Sequence, residues 1–411
     1  MMNIFLTEDL WAIILSRLPL KTITASKLVC RQWKSVVESQ FLRELFLSRH
    51  QNSHPSWSLL MFKNSLKEVK EVVAHYGCEI WGLQRSLGSY VSSFLTDKLR
   101  EDDKHRPVWF DGNVSVVYSD VGLILISFRK PYGGWNRTYY VANPITRQCV
   151  ELPPLPHLPL AKPCTYDGLA TRIENGVVLS YKVVLIERWY SDTNNLCFLI
   201  YSSETGLWSS NTLRSPLTLR SALGFDPVSL NGKLYWLGHI SGFEEVVFSY
   251  DFYATGTESS QCRIIPFPDL ERQPEFRRSC TTSQGSLMYM NIFSEQNGDG
   301  SVEHKLSVWR LKSDDEWQLV SKISPACIKT RSDYSPLMIN PFDADTMYLV
   351  SKMHKCLAST NVHKGKFGLH NNLERSSNGR TLSFSGGFSD LRRLSTFLSR
   401  FGYIGFLLHR H

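Results

Sequence analysis

His354, Cys356, His363 and His370 are of types that hold zinc, and they lie close together near the C-terminal end of this 411-residue chain. A structural zinc site draws on a close pair such as C-x2-C or H-x3-H. The spacing here, H-x-C-x6-H-x6-H, offers no such pair, so these residues are expected in strands and loops and no metal is expected. Nor does the chain contain a G-x-S-x-G elbow, an H-E-x-x-H helix or a G-x-x-x-x-G-K phosphate loop. Hydrolase, zinc-protease and P-loop chemistry each lack their necessary geometry. No copper ligands for a propeller oxidase stand out, so neither a catalytic residue nor a cofactor is assigned. What remains is the chemistry of recognition. Arg129, Trp135, Arg188, Trp189, Tyr190, His239 and Phe243 fall in three segments, 129–137, 187–195 and 239–244, and a fourth segment, 294–303, is of the same kind. Trp, Tyr and Arg dominate binding hot spots, and loops on a rigid scaffold carry them. These segments are expected to bind a protein target, with Trp135, Trp189 and Tyr190 as anchors. The competing reading is ordinary solvated loops with incidental aromatics.

The elements that must position these loops repeat along the chain. Gly122, Gly176, Gly232 and Gly285 each open an apolar strand, GLILISF, GVVLSYKVVLI, GKLYWLG and GSLMYMNIF, at intervals of 54, 56 and 53 residues. After each comes a polar, variable segment and a second strand: TYYVANP, LCFLIYS, EVVFSYD and KLSVWRL. A turn rich in Pro, Gly, Asn or Asp follows, where such residues supply the angles a tight turn needs, and then a third strand. Trp208 and Trp317 recur at matching places beside these turns. A fifth, less regular unit lies in 338–373, and further strands precede the first clear repeat. Units of about 50 residues that cannot bury their own faces predict a β-propeller of about five to seven blades rather than a large antiparallel sandwich. Successive connections in an antiparallel blade alternate between its ends, so the four variable segments open on one face.

Before the repeats lies a helical stretch. From Thr7, a plausible N-cap, Leu10, Ile14 and Leu18 recur every four residues beside Trp11 and Leu15. Pro19 ends this helix, a second runs from Lys21 through Leu28, Val29 and Cys30, and a third carries Trp33, Val36, Val37 and Phe41. Three short helices in about 45 residues are marginal as a free-standing core, so leftover apolar surface calls for another protein. The stretch LTEDLWAIILSRLPLKTITASKLVCRQWKSVVESQFL resembles the F-box, whose pattern runs L-P-x-D-L, I-L-x-R-L-P, C-x-x-W and F. Thr7 stands where the family has proline. The resemblance implies binding to the Skp adaptor of a cullin-RING ubiquitin ligase. It places Leu6, Leu10, Ile14, Leu15, Leu18, Pro19 and Leu20 near the adaptor, with Val29, Cys30 and Trp33 completing the packing.

The repeat region resembles the plant F-box-associated domain, kelch-like in appearance, through VANPITRQCVELPPLP, LIYSSETGLW, LNGKLYWLG and LSVWRL. That resemblance implies recruitment of a protein for ubiquitination and a plant source. The fold class is therefore mainly β: residues 1–46 form a three-helix F-box module, 47–57 a linker, 58–375 a kelch-like propeller and 376–411 a basic Ser/Gly-containing tail. The rival readings are a propeller scaffold or ligand-binding protein outside any ligase, and a propeller enzyme.

Charge narrows the partners. The formal net charge of +8 resides in residues 351–411, where ten Lys and Arg face only Glu374 and Asp390. The neutral remainder lacks the excess that nucleic-acid binding needs, and none is expected. Nine scattered cysteines without a C-x-x-C pair, and a start without a basic n-region, point to the cytoplasm or nucleus. No run approaches the ~20 apolar residues of a membrane span. In the tail, Leu391, Leu394, Phe397, Leu398 and Phe401 fit an amphipathic basic helix, and the tail would pack on the propeller as a last strand and helix, lie on a membrane surface as a helix, or have little role.

Overall fold

The computed structural model describes residues 7–49, 57–63, 68–75, 92–97, 114–118, 123–129, 137–143, 148–156, 164–174, 177–187, 193–219, 227–240, 245–254, 262–269, 277–296, 298–312, 315–324, 334–340, 343–351, 356–365, 367–370 and 394–396. It opens with four helices, α1 (Glu8–Leu15), α2 (Leu20–Ser26), α3 (Arg31–Glu38) and α4 (Gln40–Arg49). Thr7 caps α1 as the sequence predicts, its Oγ1 accepting the Leu10 amide at 3.4 Å. The second helix is shorter than expected. It stops at Ser26, and tight turns with Leu28 N–H donating to Ala25 O and Val29 N–H to Ser26 O lead into extended Cys30. The expected third helix is two helices, because Ser39 leaves the helical region at φ −69°, ψ 146°. Its hydroxyl donates to Val36 O and accepts the Leu42 amide, closing α3 and capping α4 with one side chain. Ala12, Leu15, Ile23, Val36, Val37, Leu42 and Phe46 form the small core of this module. The Trp11 and Trp33 rings meet 4.8 Å apart across α1 and α3.

Beyond the helices the chain makes five four-stranded antiparallel sheets in sequence. Blade 1 comprises Val114–Tyr118, Ile124–Arg129, Arg137–Asn143 and Gln148–Glu151, and blade 2 Cys164–Glu174, Val177–Glu187, Thr193–Ser202 and Leu207–Leu219. Blade 3 comprises Val228–Leu230, Lys233–His239, Glu245–Asp251 and Arg263–Pro266, and blade 4 Arg277–Ser283, Ser286–Gln296, Val302–Leu311 and Trp317–Ile323. Blade 5 comprises Tyr334–Ile339, Thr346–Ser351, Cys356–Asn361 and Phe367–His370. The first strand of each blade touches the first strand of the next, so first strands line the axis and later strands radiate outward. That arrangement is a β-propeller.

Each unit thus has four strands where the sequence shows three. The missed strand precedes the glycine turn and lies at the axis, where Ser279, Thr281, Thr282 and Ser283 replace the expected apolar alternation. Ser279 and Ser283 hydroxyls donate across to Leu337 O at 3.1 Å and Asn340 O at 2.7 Å, so small polar side chains tie neighbouring inner strands together. Gly168 on the inner strand of blade 2 allows a close approach: a Cβ there would lie 2.6 Å from Leu234 Cδ1 of blade 3. Gly232 and Gly285 open the second strands of blades 3 and 4, as the repeat predicted, and hold positive φ of 79° and 71° in the turns before them.

The core is a set of seams between blades. Along Val183–Ile186, Val183 and Leu185 pack on Leu123, Leu125 and Tyr139 of blade 1, while Val184 and Ile186 pack with Leu234, Trp236 and Phe248 of blade 3. A strand buried on both faces explains the unbroken apolar run in the sequence. The seam between blades 2 and 3 is aromatic, with Trp236 stacked on Phe248 at 4.9 Å and Phe198 and Phe252 edge-on or tilted against it. One device recurs in alternate seams. Trp208 Nε1 of blade 2 donates to Pro153 O after blade 1, and Trp317 Nε1 of blade 4 donates to Pro266 O of blade 3, each at 2.9 Å.

A sixth sheet orders Glu68–His75, Trp57–Lys63 and Leu394–Thr396 side by side. Leu394–Thr396 pairs antiparallel with Leu60–Ser58 and touches the first strand of blade 1. The strand nearest the axis in this sheet therefore comes from the C-terminal end of the chain. A last strand on the propeller is among the forms the sequence leads one to expect of the tail, and over 394–396 strand replaces the helical spacing because pairing with Trp57–Lys63 satisfies its backbone polar groups at the sheet edge.

Candidate functional sites

The first site is the outside of the helical module. Leu10, Ile13 and Ile14 of α1, Leu28 and Val29 of the turn after α2, and Phe41 of α4 are exposed, Leu28 by 90% and Val29 by 64%. They make up half of the large apolar side chains exposed among the described residues. Scattered exposed leucines need no explanation, but such a concentration on a module this small marks an interaction face. Of the residues placed there from sequence, Leu10 and Ile14 are on this face, Leu18 and Trp33 are half-buried, and Pro19 and Cys30 are exposed. Leu15 is a correction: it is fully buried beside Ala12 and belongs to the module's interior. Val29, placed with the adaptor-binding residues, faces outward. Cys30 is exposed; its Sγ accepts the Trp33 amide at 3.4 Å and caps α3. Leu6 and the side chain of Leu20 lie outside the described residues. Ile13, Leu28 and Phe41 were missed, and Ile13 was open to notice one residue ahead of Ile14.

The second site is the propeller end that carries the second-to-third strand connections. By antiparallel alternation the passages from each fourth strand to the next blade open at this same end, which the sequence reading overlooked. Trp135, Arg188, Trp189, Tyr190 and Phe243, and the side chain of Arg129, lie outside the described residues. His239 ends the second strand of blade 3 and is half-buried. Two clusters of buried charge brace this end. In the seam of blades 1 and 2, Asp167 accepts from Ser127 Oγ at 2.9 Å, Arg137 Nη1 at 3.0 Å and Tyr139 OH at 3.4 Å. Burial raises the Asp167 pKa above its ordinary value, against the opposing pull of Arg137 and the two hydroxyls. In the seam of blades 3 and 4, Asp269 accepts from Tyr289 OH at 2.9 Å and from Asn291, and Arg278 joins it to Glu245. Burial raises the Asp269 pKa too, with Arg278 pulling the other way. Sequence spacing gave no sign of either cluster, since each is assembled from two blades.

Of the four zinc-type residues, His363 pairs with Asp345 Oδ1 at 3.2 Å on an exposed turn. His354 and the side chains of Cys356 and His370 lie outside the described residues. No group of three or more metal-ligating side chains occurs among the described residues. No helix among them is long and apolar enough to cross a membrane.

Helical module and propeller together define a class of protein: an F-box followed by a β-propeller. Residues 5–45 match the F-box domain, and residues 55–401 match the β-propeller of the F-box protein At3g26010-like family. The chain belongs to that family. It is 51% identical to F-box protein At3g28330 of Arabidopsis thaliana over 92% of this chain and 89% of that one. To putative F-box protein At3g28280 of the same plant it is 50% identical, over 72% and 90% of the two chains. Putative F-box/kelch-repeat protein At4g22430, also of Arabidopsis thaliana, is 35% identical over 85% and 76%. Among solved structures, a puromycin hydrolase mutant aligns with a TM-score of 0.39 at 11% identity, over 63% of this chain and 39% of that one, which carries no argument.

Proposed function

We propose that this chain is the substrate-recognition subunit of a Skp–cullin–F-box ubiquitin ligase. In this reading the helical module docks on a Skp-type adaptor, and through it a cullin, while the loop-bearing end of the propeller holds the protein to be ubiquitinated. The observation that carries the reading is the outward-facing set Leu10, Ile13, Ile14, Leu28 and Val29 on a module that matches the F-box. Those side chains gain from burial only against a partner. The receptor is non-catalytic, with ubiquitin transfer performed by other subunits, and it works in the cytoplasm or nucleus on a kelch-like scaffold. The test is reconstitution: the full chain mixed with a plant Skp-type adaptor and cullin should co-elute with both, and Leu28→Asp with Val29→Asp should remove it from that peak without lowering its solubility. Failure of the wild-type chain to co-elute with the adaptor would end the ligase reading.

A further inference from the structure

The two charged clusters beneath the loop-bearing end are built alike but finished differently. Arg278, 9% exposed, spends all three guanidinium nitrogens: Nε donates to Tyr289 OH at 2.8 Å, Nη1 pairs with Glu245, and Nη2 donates to Asp269 O at 3.0 Å. Arg137, 27% exposed, spends one on the described residues. Its Nη1 serves both Asp167 Oδ2 at 3.0 Å and Ser127 Oγ at 3.3 Å. That leaves the Nε and Nη2 edge, the pair of parallel donors that matches two oxygens of a carboxylate or phosphate. The buried Asp167 holds the guanidinium in place, so little freedom is lost when that edge is occupied.

Register adds a second arginine. Arg129 and Arg137 are directly opposed as the last and first residues of paired strands in blade 1. Like charges directly opposite on an antiparallel pair are destabilising unless something negative offsets them. Asp167 is the anion that offsets Arg137, and burial opposes its ionisation. The register thus brings a second arginine backbone to the strand end that Arg137 opens.

We infer that Arg137, supported by Arg129, binds an oxyanion side chain, carboxylate or phosphate, on the protein recruited to this end of the propeller. The inference rests on the substrate-receptor reading and gives that receptor a chemical preference.

The test uses the full chain bound to a Skp-type adaptor and three immobilised degenerate peptide libraries, centred on glutamate, phosphoserine or glutamine. The wild-type complex should be retained about tenfold more by the glutamate or phosphoserine library than by the glutamine library. Whichever charged library retains it identifies the oxyanion. Arg137→Gln combined with Asp167→Asn keeps the seam hydrogen-bonded and neutral and should abolish the preference. Arg129→Gln, which leaves the Asp167 cluster intact, should lower it about threefold. Equal retention by the glutamine library, or an unchanged preference in either variant, overturns the inference. Loss of the adaptor from the eluted complex would instead signal failure of the receptor reading.

Discussion

Replacing Trp208 with phenylalanine tests whether the propeller is held by a repeated device. The indole N–H donates to Pro153 O at 2.9 Å, near the optimum for this bond, and phenylalanine removes the donor. A hydrogen bond of this kind contributes about 0.5–1.5 kcal/mol net. The ring also meets Tyr201 tilted at 5.4 Å and Tyr139 edge-on at 6.2 Å, and a smaller ring gives up about 1 kcal/mol of burial at this half-buried place. The expected loss is about 1.5–2.5 kcal/mol. Trp317 reproduces the geometry, with its bond to Pro266 O at 2.9 Å and Tyr289 and Phe267 at 5.6 and 6.1 Å. Trp317→Phe should therefore cost the same. The two sites share no partner and lie in different seams, so the double variant should lose the sum, about 3–5 kcal/mol. Urea unfolding followed by far-ultraviolet circular dichroism measures each loss. A loss below about 0.5 kcal/mol at either site, or a double variant no weaker than the worse single one, would refute the idea of a shared clamp.

Other expectations concern backbone, charge and closure. Gly206 and Gly232 both hold positive φ, but a Cβ at 206 meets nothing within 4 Å while one at 232 lies 3.0 Å from Tyr253 Cδ2. Gly206→Ala should cost about 1 kcal/mol and Gly232→Ala visibly more in the same unfolding assay, and equal costs would contradict the contact. Asp167 has a folded pKa raised above the ordinary 3.8, so its folded form holds the proton more tightly. Its contribution is then greatest below the unfolded value and declines as pH rises through the folded one. Asp167→Asn should gain stability relative to wild type as pH rises from about 4, read from urea midpoints across pH, and a relative loss would reverse the assignment. Ending the chain before Leu394 removes the partner of Ser58–Leu60 and should speed amide exchange across Trp57–Lys63 and lower the unfolding midpoint, whereas an unchanged exchange pattern would show that the strand closes nothing.

Much of the scaffold was readable because its signals are local. Gly232 and Gly285 open apolar runs that announce strands, and the structure puts both glycines in positive-φ turns before them. The innermost strands were not readable, since Cys280, Thr281, Thr282 and Ser283 carry no alternation and are fixed by neighbouring blades. In the helical module the four-residue spacing of Leu10, Ile14 and Leu18 located α1, but spacing could not tell outward Ile14 from inward Leu15. That distinction depends on where α3 and α4 pack. The Arg137–Asp167 contact joins residues of different blades, so only the closed seam shows it.

Titration of a fluorescently labelled Skp-type adaptor with the full chain tests the central claim most directly. Wild type should bind, and Leu10→Asp with Ile14→Asp, at exposed positions of α1, should weaken binding at least about tenfold while leaving the thermal melt unchanged. No binding by wild type, or undiminished binding by that double variant, would contradict the assignment of this face to the adaptor.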